Sequence, residues 1–360
     1  MPGRLLISSA SRPFWRRDQY AARRGRLIAR AQVASFLRRW FDAKGFIEVE
    51  PAALQASPGN ETHLHGFKTA LISPDGSPRD AYLHTSPEFA MKKLLAAGER
   101  RIYALTGVFR NRERTALHAP EFTMLEWYRT GAPLERLIED CVALTALAAH
   151  VAGAKRFVFR DREASPFEPP ELLTVRDAFR RYVGVDIYDS LPLGGRPDAD
   201  AFARQAKGAG LRVALDDGWS DIFSRLLSER VEPHLGIGRP TVLHAYPASE
   251  AALARVDPDD PRVAERFEFY CCGIELANAF RELVDPAEQR RRFEADMAEQ
   301  QRIYRTAAPI DEDFLAALAE MPDASGAALG FDRLVMLATG AESVEAAQWT
   351  PVLDPGGRGS

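Results

Sequence analysis

Apolar side chains recur at helical spacing from residue 17 to residue 44, the run closes at Gly45, and FIEVE then alternates with period two. A long helix followed by a strand is therefore predicted near the start of the chain. Thr85, Ser86, Pro87 and Glu88 read as a helix start: a hydroxyl cap, a proline in the first turn and an acid near the positive end. RIYALTGVF and EFTMLEWY alternate again, which predicts two half-buried strands joined by a charged connection into an antiparallel hairpin. From residue 133 to 240 the pattern changes, with helical stretches at 133–152, 174–183, 198–208 and 219–232 separated by Pro and Gly clusters. Residues 150–238 are read as a helical insertion. Strand signals return at 241–246 and 266–280. Glu268, Glu275 and Glu282 recur every seven residues, a spacing that suits one stripe of a helix, but Gly273 and the β-rich FEFYCC argue for a hairpin. DPAEQRRRFEADMAEQQRIYR then reads as a long charged helix, and the Gly-rich tail after Asp354 as disordered. There is no internal repeat and no low-complexity region.

At 360 residues the chain exceeds one average domain yet can bury a large core, and its 46% hydrophobic and 27% charged residues suit a soluble globular protein. One large catalytic domain fits. A net charge of -4 is not that of a protein held to nucleic acid by a generally basic surface. Residues 1–44 differ, with ten arginines and one lysine against Asp18 and Asp42, so the N-terminal helix carries a basic face, either solvated or docked to an acidic partner. The three cysteines, Cys141, Cys271 and Cys272, form no CxxC pair, which suggests neither a disulfide framework nor a cysteine zinc site and implies a reducing cytosol. The most apolar run, CVALTALAAHVAGA, has 14 residues, fewer than the roughly 20 needed to span a bilayer. No N-terminal segment has the make-up of a signal peptide. A cytoplasmic protein without a membrane partner is expected.

Residues 107–129, GVFRNRERTALHAPEFTMLEWYR, bring four arginines, three glutamates and a histidine into one predicted strand, loop and strand. Such groups suit phosphate, and a nucleotide site is the first reading, against an ordinary hairpin with a solvated loop. The segment resembles motif 2 of class II aminoacyl-tRNA synthetases, closest in wording to the lysyl branch with its FRNE and NPEFTMMEFY. SGAALGFDRLVML, residues 325–337, resembles motif 3, a Gly-rich strand leading into a helix that carries an arginine. RFEFYCCGIELANAFREL resembles the lysyl-branch strand pair that supplies acids for magnesium and for the substrate amine, and TSPEFAMKKLLAAG the segment whose glutamate contacts the amino acid. The motif 1 strand ends EVEPA where the lysyl branch has EVETP, with Pro51 one position early and Ala52 where that family has proline. Only about forty residues precede this strand, too few for the anticodon-binding barrel of lysyl-tRNA synthetases, so no anticodon binding is expected. HAPEFTMLEWYR, VAERFEFY, GIELAN and ALGFDRLVMLATGAES are similar to the elongation factor P lysine ligase family, and the resemblance covers most of residues 25–348.

That resemblance implies an α+β fold over residues 1–360, a class II synthetase-like antiparallel sheet flanked by helices with the helical insertion inside it. It implies a homodimer that activates (R)-beta-lysine with ATP and Mg2+ and transfers it to a lysine side chain of elongation factor P. By resemblance Arg110 bridges the substrate carboxylate and the α-phosphate, and Arg333 holds the γ-phosphate, tasks that suit a planar fork of donors. Phe122 is expected to stack on adenine with Arg333 on its other face, and Asn111, His118, Leu276 and Gly330 to lie around the nucleotide. Arg112 stands where the family often has glutamate, with Glu113 next, and Ala119 stands where close relatives have asparagine. Glu268 and Glu275 are the implied magnesium ligands. Glu282 faces the substrate amine, and with Ser86, Pro87, Glu88, Glu126 and Tyr128 makes an acidic pocket that demands a cationic amino acid. Ala328 replaces the middle glycine of the synthetase GxGxGxxR, which favours a lysine isomer over lysine itself. Two other readings stay open: a truncated synthetase or ligase for tRNA or another amine acceptor, and a non-catalytic paralogue acting as a binding subunit. Retention of Arg110, Arg333, Glu268 and Glu275 argues against the latter.

Overall fold

A computed structural model describes residues 13–352 except 195 and 215. The tail expected beyond Asp354 lies outside the described residues. Eight strands form one sheet: β1 (Ile47–Glu48), β2 (Arg101–Phe109), β3 (Glu121–Thr130), β4 (Glu171–Thr174), β5 (Thr241–Pro247), β6 (Val263–Cys271), β7 (Ile274–Arg281) and β8 (Ala324–Gly330). Their order across the sheet is β1-β2-β3-β8-β7-β6-β5-β4. The six central strands are antiparallel, whereas the edge pairs β1–β2 and β4–β5 run parallel. The motif 1 strand is shorter than FIEVE predicts: after Glu48 only the Val49 amide still reaches Tyr103, and Pro51 has no amide to continue the ladder.

Strand alternation divides the side chains between two faces. Leu125, Trp127, Ala327, Leu329, Ala277, Phe267 and Phe269 point to one side and are packed with Val33, Leu37 and Phe41 of the N-terminal helix Arg17–Ala43, with helix Leu134–Ala152, and with helix Phe331–Thr339. The other face carries polar rows. Glu126, Ala328, Asn278 and Glu268 lie side by side across β3, β8, β7 and β6, and the next row is Tyr128, Gly326, Phe280 and Arg266. The glutamate spacing of seven is thus a hairpin and no helix stripe. Cys272 and Gly273 turn it with φ of 56° and 70°, two left-handed residues as a tight two-residue turn requires. A β-carbon at Gly273 would lie 2.3 Å from Arg162 Nη1, a flexible end that can move, so the positive φ is what favours glycine there.

The segment read as a helical insertion is only partly helical. Helices Val175–Tyr182, Ala199–Gly208 and Trp219–Leu226 pack into a core of their own around Phe179, Phe202 and Phe223, but a hairpin of Phe157–Phe159 and Arg162–Ala164 precedes them, and β4 joins the edge of the main sheet. All three cysteines are buried and free. Among the described residues no helix is long and apolar enough to cross a membrane.

The basic N-terminal helix commits several arginines to contacts with the rest of the chain. Arg23 donates to the carbonyls of Gln348 and Glu345, and Arg38 pairs with Glu48 at 2.9 Å. Arg30 is buried: its guanidinium lies 2.5 Å from Asp332, donates to Thr123 Oγ1 at 2.7 Å and covers the Phe331 ring at 4.7 Å. Asp332 also accepts from Gln348 Nε2 at 2.7 Å. This tie fixes the start of helix Phe331–Thr339, the turn that presents Arg333 to the polar face. Arg30→Met would leave Asp332 buried without its counter-charge, and a loss of about 3–5 kcal/mol is expected. Urea unfolding measures it, and a change within experimental error would mean the pair is solvated in solution.

Candidate active site

A cleft of about 630 Å³ opens over the polar face of the sheet. Its floor is the two polar rows apart from Glu268, and its walls include residues 61–64, the start of helix Glu88–Ala96, helix Pro286–Tyr304 and the first turn of helix Trp219–Leu226. Arg110, Arg333, Phe122, His118, Ala119 and Glu113 line one end. Ser86, Glu88, Glu126, Tyr128 and Ala328 line the other, and Glu275, Leu276 and Gly330 complete the nucleotide-like end. The cleft therefore gathers residues separated by almost 250 positions in the chain.

The remaining candidates sit outside it. Pro87 is buried at the start of helix Glu88–Ala96. Asn111 turns the motif 2 loop, its Oδ1 accepting from the Arg112 amide at 2.9 Å. Arg112 adopts φ 67°, and its guanidinium lies 5.3 Å over the Tyr304 ring, away from the cleft. Glu113, the residue after this left-handed one, lies on the cleft wall. Glu268 and Glu282 are buried just behind the lining.

The two arginines differ in their commitments. Arg110 donates from Nε to the Thr85 carbonyl at 3.2 Å and lies 5.3 Å over the Phe122 ring, and among the described residues it makes no ion pair. Its two Nη groups are available to an anion. Arg333 is held by the Glu275 carbonyl at 2.8 Å, the Leu117 carbonyl at 3.2 Å and His118 Nε2 at 2.9 Å, with the Glu275 carboxylate 3.4 Å away. Burial and the Arg333 charge push the His118 pKa down, so the neutral ring accepts from Arg333 through Nε2.

The other end is a buried acid cluster. Lys92 Nζ lies 2.5 Å from both Glu88 Oε1 and Glu282 Oε2, and the lysine side chain is 1% exposed. The contact with Glu282 is an ion pair off the hydrogen-bonding direction, so neither Glu282 oxygen receives a directed hydrogen bond. Glu126 accepts from Ser86 Oγ at 2.6 Å and from the Tyr128 hydroxyl at 2.6 Å. Burial and the Glu88 charge push the Glu126 carboxyl up to about 7. Burial, opposed by Lys92 and aided by Glu88, pushes Glu282 up to about 8. Gly326 makes room for this arrangement: a β-carbon there would lie 2.3 Å from Tyr128 Cε1 and 2.5 Å from Glu282 Oε1. Lys92 was not singled out from sequence, although its place four residues after Glu88 marks an i,i+4 pair on one helix face.

A second group of acids lies beside Arg333. Glu268 accepts from the hydroxyls of Tyr246, at 2.5 Å, and Tyr270, and pairs with Arg266 at 2.6 Å. Its pKa is raised by burial and by Glu275, and Glu232 nearby is pushed up to about 7 by burial and by the same two carboxylates. Among the described residues no three metal-ligating side chains converge. Glu275 on the cleft wall and Glu268 behind it, near enough for Glu275 to raise the Glu268 pKa, offer the pair of carboxylates that Mg2+ takes together with substrate phosphates.

The family model of tRNA synthetases class II (D, K and N) matches residues 15–353. The chain is 40% identical over 320 residues to the elongation factor P–(R)-beta-lysine ligase of Haemophilus influenzae (strain PittGG), covering 88% of this chain and 92% of that protein. Ligases of the same name from Klebsiella pneumoniae and Proteus mirabilis are 40% and 39% identical over 324 and 322 residues, with the same coverage.

The raised carboxyls have a consequence for stability. Between their ordinary value of 4.5 and about 7 to 8, folded Glu126 and Glu282 keep protons that the unfolded chain has shed, so stability falls as pH rises through that window. His84, His118 and His244, whose pKa values are lowered, oppose this only up to their ordinary value of 6.5. The ligand-free protein is therefore expected to lose stability from pH 6.5 to 8, by up to about 1.4 kcal/mol per pH unit for each titrating group. Urea midpoints measured across that range should decline, and flat or rising midpoints would show that the acids ionise freely.

Proposed function

The chain belongs to the class II tRNA synthetases of the D, K and N type, alongside the elongation factor P–(R)-beta-lysine ligases, and from that membership we propose that it activates (R)-beta-lysine with ATP and transfers it to a lysine side chain of elongation factor P. One observation supports this above others: a single cleft holds an uncommitted guanidinium at one end and an acidic pocket at the other. A guest with a carboxylate and two ammonium groups matches both. Glu88, Glu126 and Glu282 against Lys92 leave two negative charges when all are ionised, the number a doubly cationic amino acid neutralises.

In adenylate formation the carboxylate oxygen attacks the α-phosphorus of ATP and pyrophosphate leaves. Arg110 is the residue free to draw the two anions together and to offset the charge that grows in the transition state. Phe122 offers its ring to adenine, and Arg333, prepositioned by three acceptors, answers to the triphosphate. Glu268 and Glu275 would hold Mg2+, which lends charge neutralisation to the phosphates. On the amino-acid side, Ser86 and Tyr128 keep Glu126 turned toward the pocket. The Ala328 methyl stands directly across the ladder from Glu126 and trims the space for the amine, which supports the shifted amine of the beta isomer. An acceptor amine gives an amide, and a translation factor as acceptor would be met in the cytoplasm. A homodimer is part of the same reading, supported by the exposed apolar side chains of Phe36, Ile47 and Leu54.

The purified protein incubated with ATP, labelled lysine isomers and either elongation factor P or tRNA is expected to label elongation factor P, best with (R)-beta-lysine. Label on tRNA alone would overturn the proposal. Binding of the guest should also expel protons, because its ammonium groups favour the ionised forms of Glu126 and Glu282, which hold protons up to about 7 and 8. Calorimetric titration at pH 7 in buffers of different ionisation enthalpy measures the proton count, and net uptake would contradict the acid-pocket assignment.

A further inference from the structure

The amine that attacks an aminoacyl adenylate must first be neutral, yet a lysine side chain near pH 7 is almost wholly an ammonium ion. A proton acceptor inside the cleft is therefore needed for transfer. Most acids there are already engaged. Glu88 and Glu282 pair with Lys92, and Glu126 accepts from Ser86 and Tyr128. Glu275 lies against Arg333, Glu250 accepts from Ser220 and Ser249, and Asp296 from Thr62. Glu113 has neither hydrogen bond nor ion pair among the described residues, but its charge acts on His118 and His65 at the nucleotide-like end.

Glu61 is different. It lines the cleft, its carboxylate has neither hydrogen bond nor ion pair among the described residues, and the charge that acts on it most is Arg110. The two are close enough to feel each other but form no ion pair, and both line the same cleft. The loop carrying Glu61 is tied down on both sides. Gln300 Nε2 donates to the carbonyls of Glu61, Thr62 and Leu64 at 3.2, 3.3 and 3.1 Å. The Pro58 carbonyl accepts from Thr85 Oγ1 at 2.7 Å, and the His65 carbonyl accepts from the Asn111 amide at 2.7 Å, which joins the loop to motif 2. A rigid loop thus presents an unpartnered carboxylate to the cleft beside the arginine assigned to the substrate carboxylate.

We infer that Glu61 is the general base of the transfer step, taking a proton from the acceptor ammonium, and this inference rests on the ligase reading above. The ammonium gives one proton to the Glu61 carboxylate, and the freed lone pair attacks the carbonyl carbon of the adenylate. The new C–N bond forms as the C–O bond to AMP breaks, its electron pair leaving on the AMP phosphate, and the second N–H proton passes to water. The side chain is open to cleft solvent but ringed by protein. That surrounding bulk raises its pKa, Arg110 and Arg266 lower it, and Glu88 and Asp296 raise it, with about 7 as the result. A carboxyl held above its ordinary value is a better proton acceptor near neutral pH than an unperturbed glutamate.

The test separates the two half-reactions in single turnovers. Wild type and Glu61→Gln are loaded with ATP and (R)-beta-lysine, then mixed with elongation factor P or with hydroxylamine, an amine already neutral at the assay pH. Transfer to elongation factor P should fall by at least about 100-fold, while trapping by hydroxylamine keeps pace with wild type. The wild-type transfer rate should level off above pH 7, whereas the variant keeps rising, and Glu61→Asp should recover part of the loss. Unchanged transfer to elongation factor P would overturn the inference, and so would an equal loss with both nucleophiles, which would make Glu61 a positioning residue. If wild type traps hydroxylamine but never labels elongation factor P, the ligase reading fails first and the inference falls with it.

Discussion

The ion pairs of Lys92 with Glu88 and Glu282 are the contact on which the amino-acid end of the cleft depends. Carboxylates cannot be buried side by side without a counter-charge, and among the described residues Lys92 is the only cation inside that cluster. One lysine offsets part of the repulsion and leaves the rest. The remainder appears in the raised pKa values of Glu126 and Glu282, and it is the charge that the proposed cationic guest would neutralise. The pocket is stable enough to persist and charged enough to select.

The same sheet serves opposite needs on its two faces. One side is a dry core of aromatic and aliphatic side chains against three helices, and the other is a polar floor whose rows cross β3, β8, β7 and β6. Because neighbouring strands are locked in register, the amine pocket and the anion-binding end keep a fixed separation. Arg30 and Asp332 extend that rigidity from the dry side to the turn before Arg333. Arg333 is already held by the Glu275 and Leu117 carbonyls and by His118, while Arg110 keeps both Nη groups open to the cleft.

Much of the site was legible in residues. The hairpin around GVFRNRERTALHAPEF and the Gly-rich strand entering FDRLVML follow from alternation and from local charge, and their wording carries the family. Glu126 and Tyr128, two apart on one strand, had to share a face. Less could be read where a single backbone angle decides the outcome. Arg112 and Glu113 exchange places relative to the cleft because Arg112 is left-handed, a property that a non-glycine residue does not announce. The insertion misled for a related reason: its helical periods are genuine, but β4 is a strand only because β5 lies beside it. Four residues have no periodicity of their own strong enough to predict pairing with a strand 70 positions away.

Alternation, helix starts and motif wording determined which strands and helices exist, which side of each strand is polar, and which chemistry the chain is equipped for. These are local properties, set by steric period and side-chain type, and they survive in the sequence without a partner. Only the tertiary structure decided that Lys92 answers Glu282, that Glu113 rather than Arg112 meets the cleft, and that Glu61 stands unpaired near Arg110. Charge interactions and burial depend on distance through space, and a linear order of residues does not contain those distances.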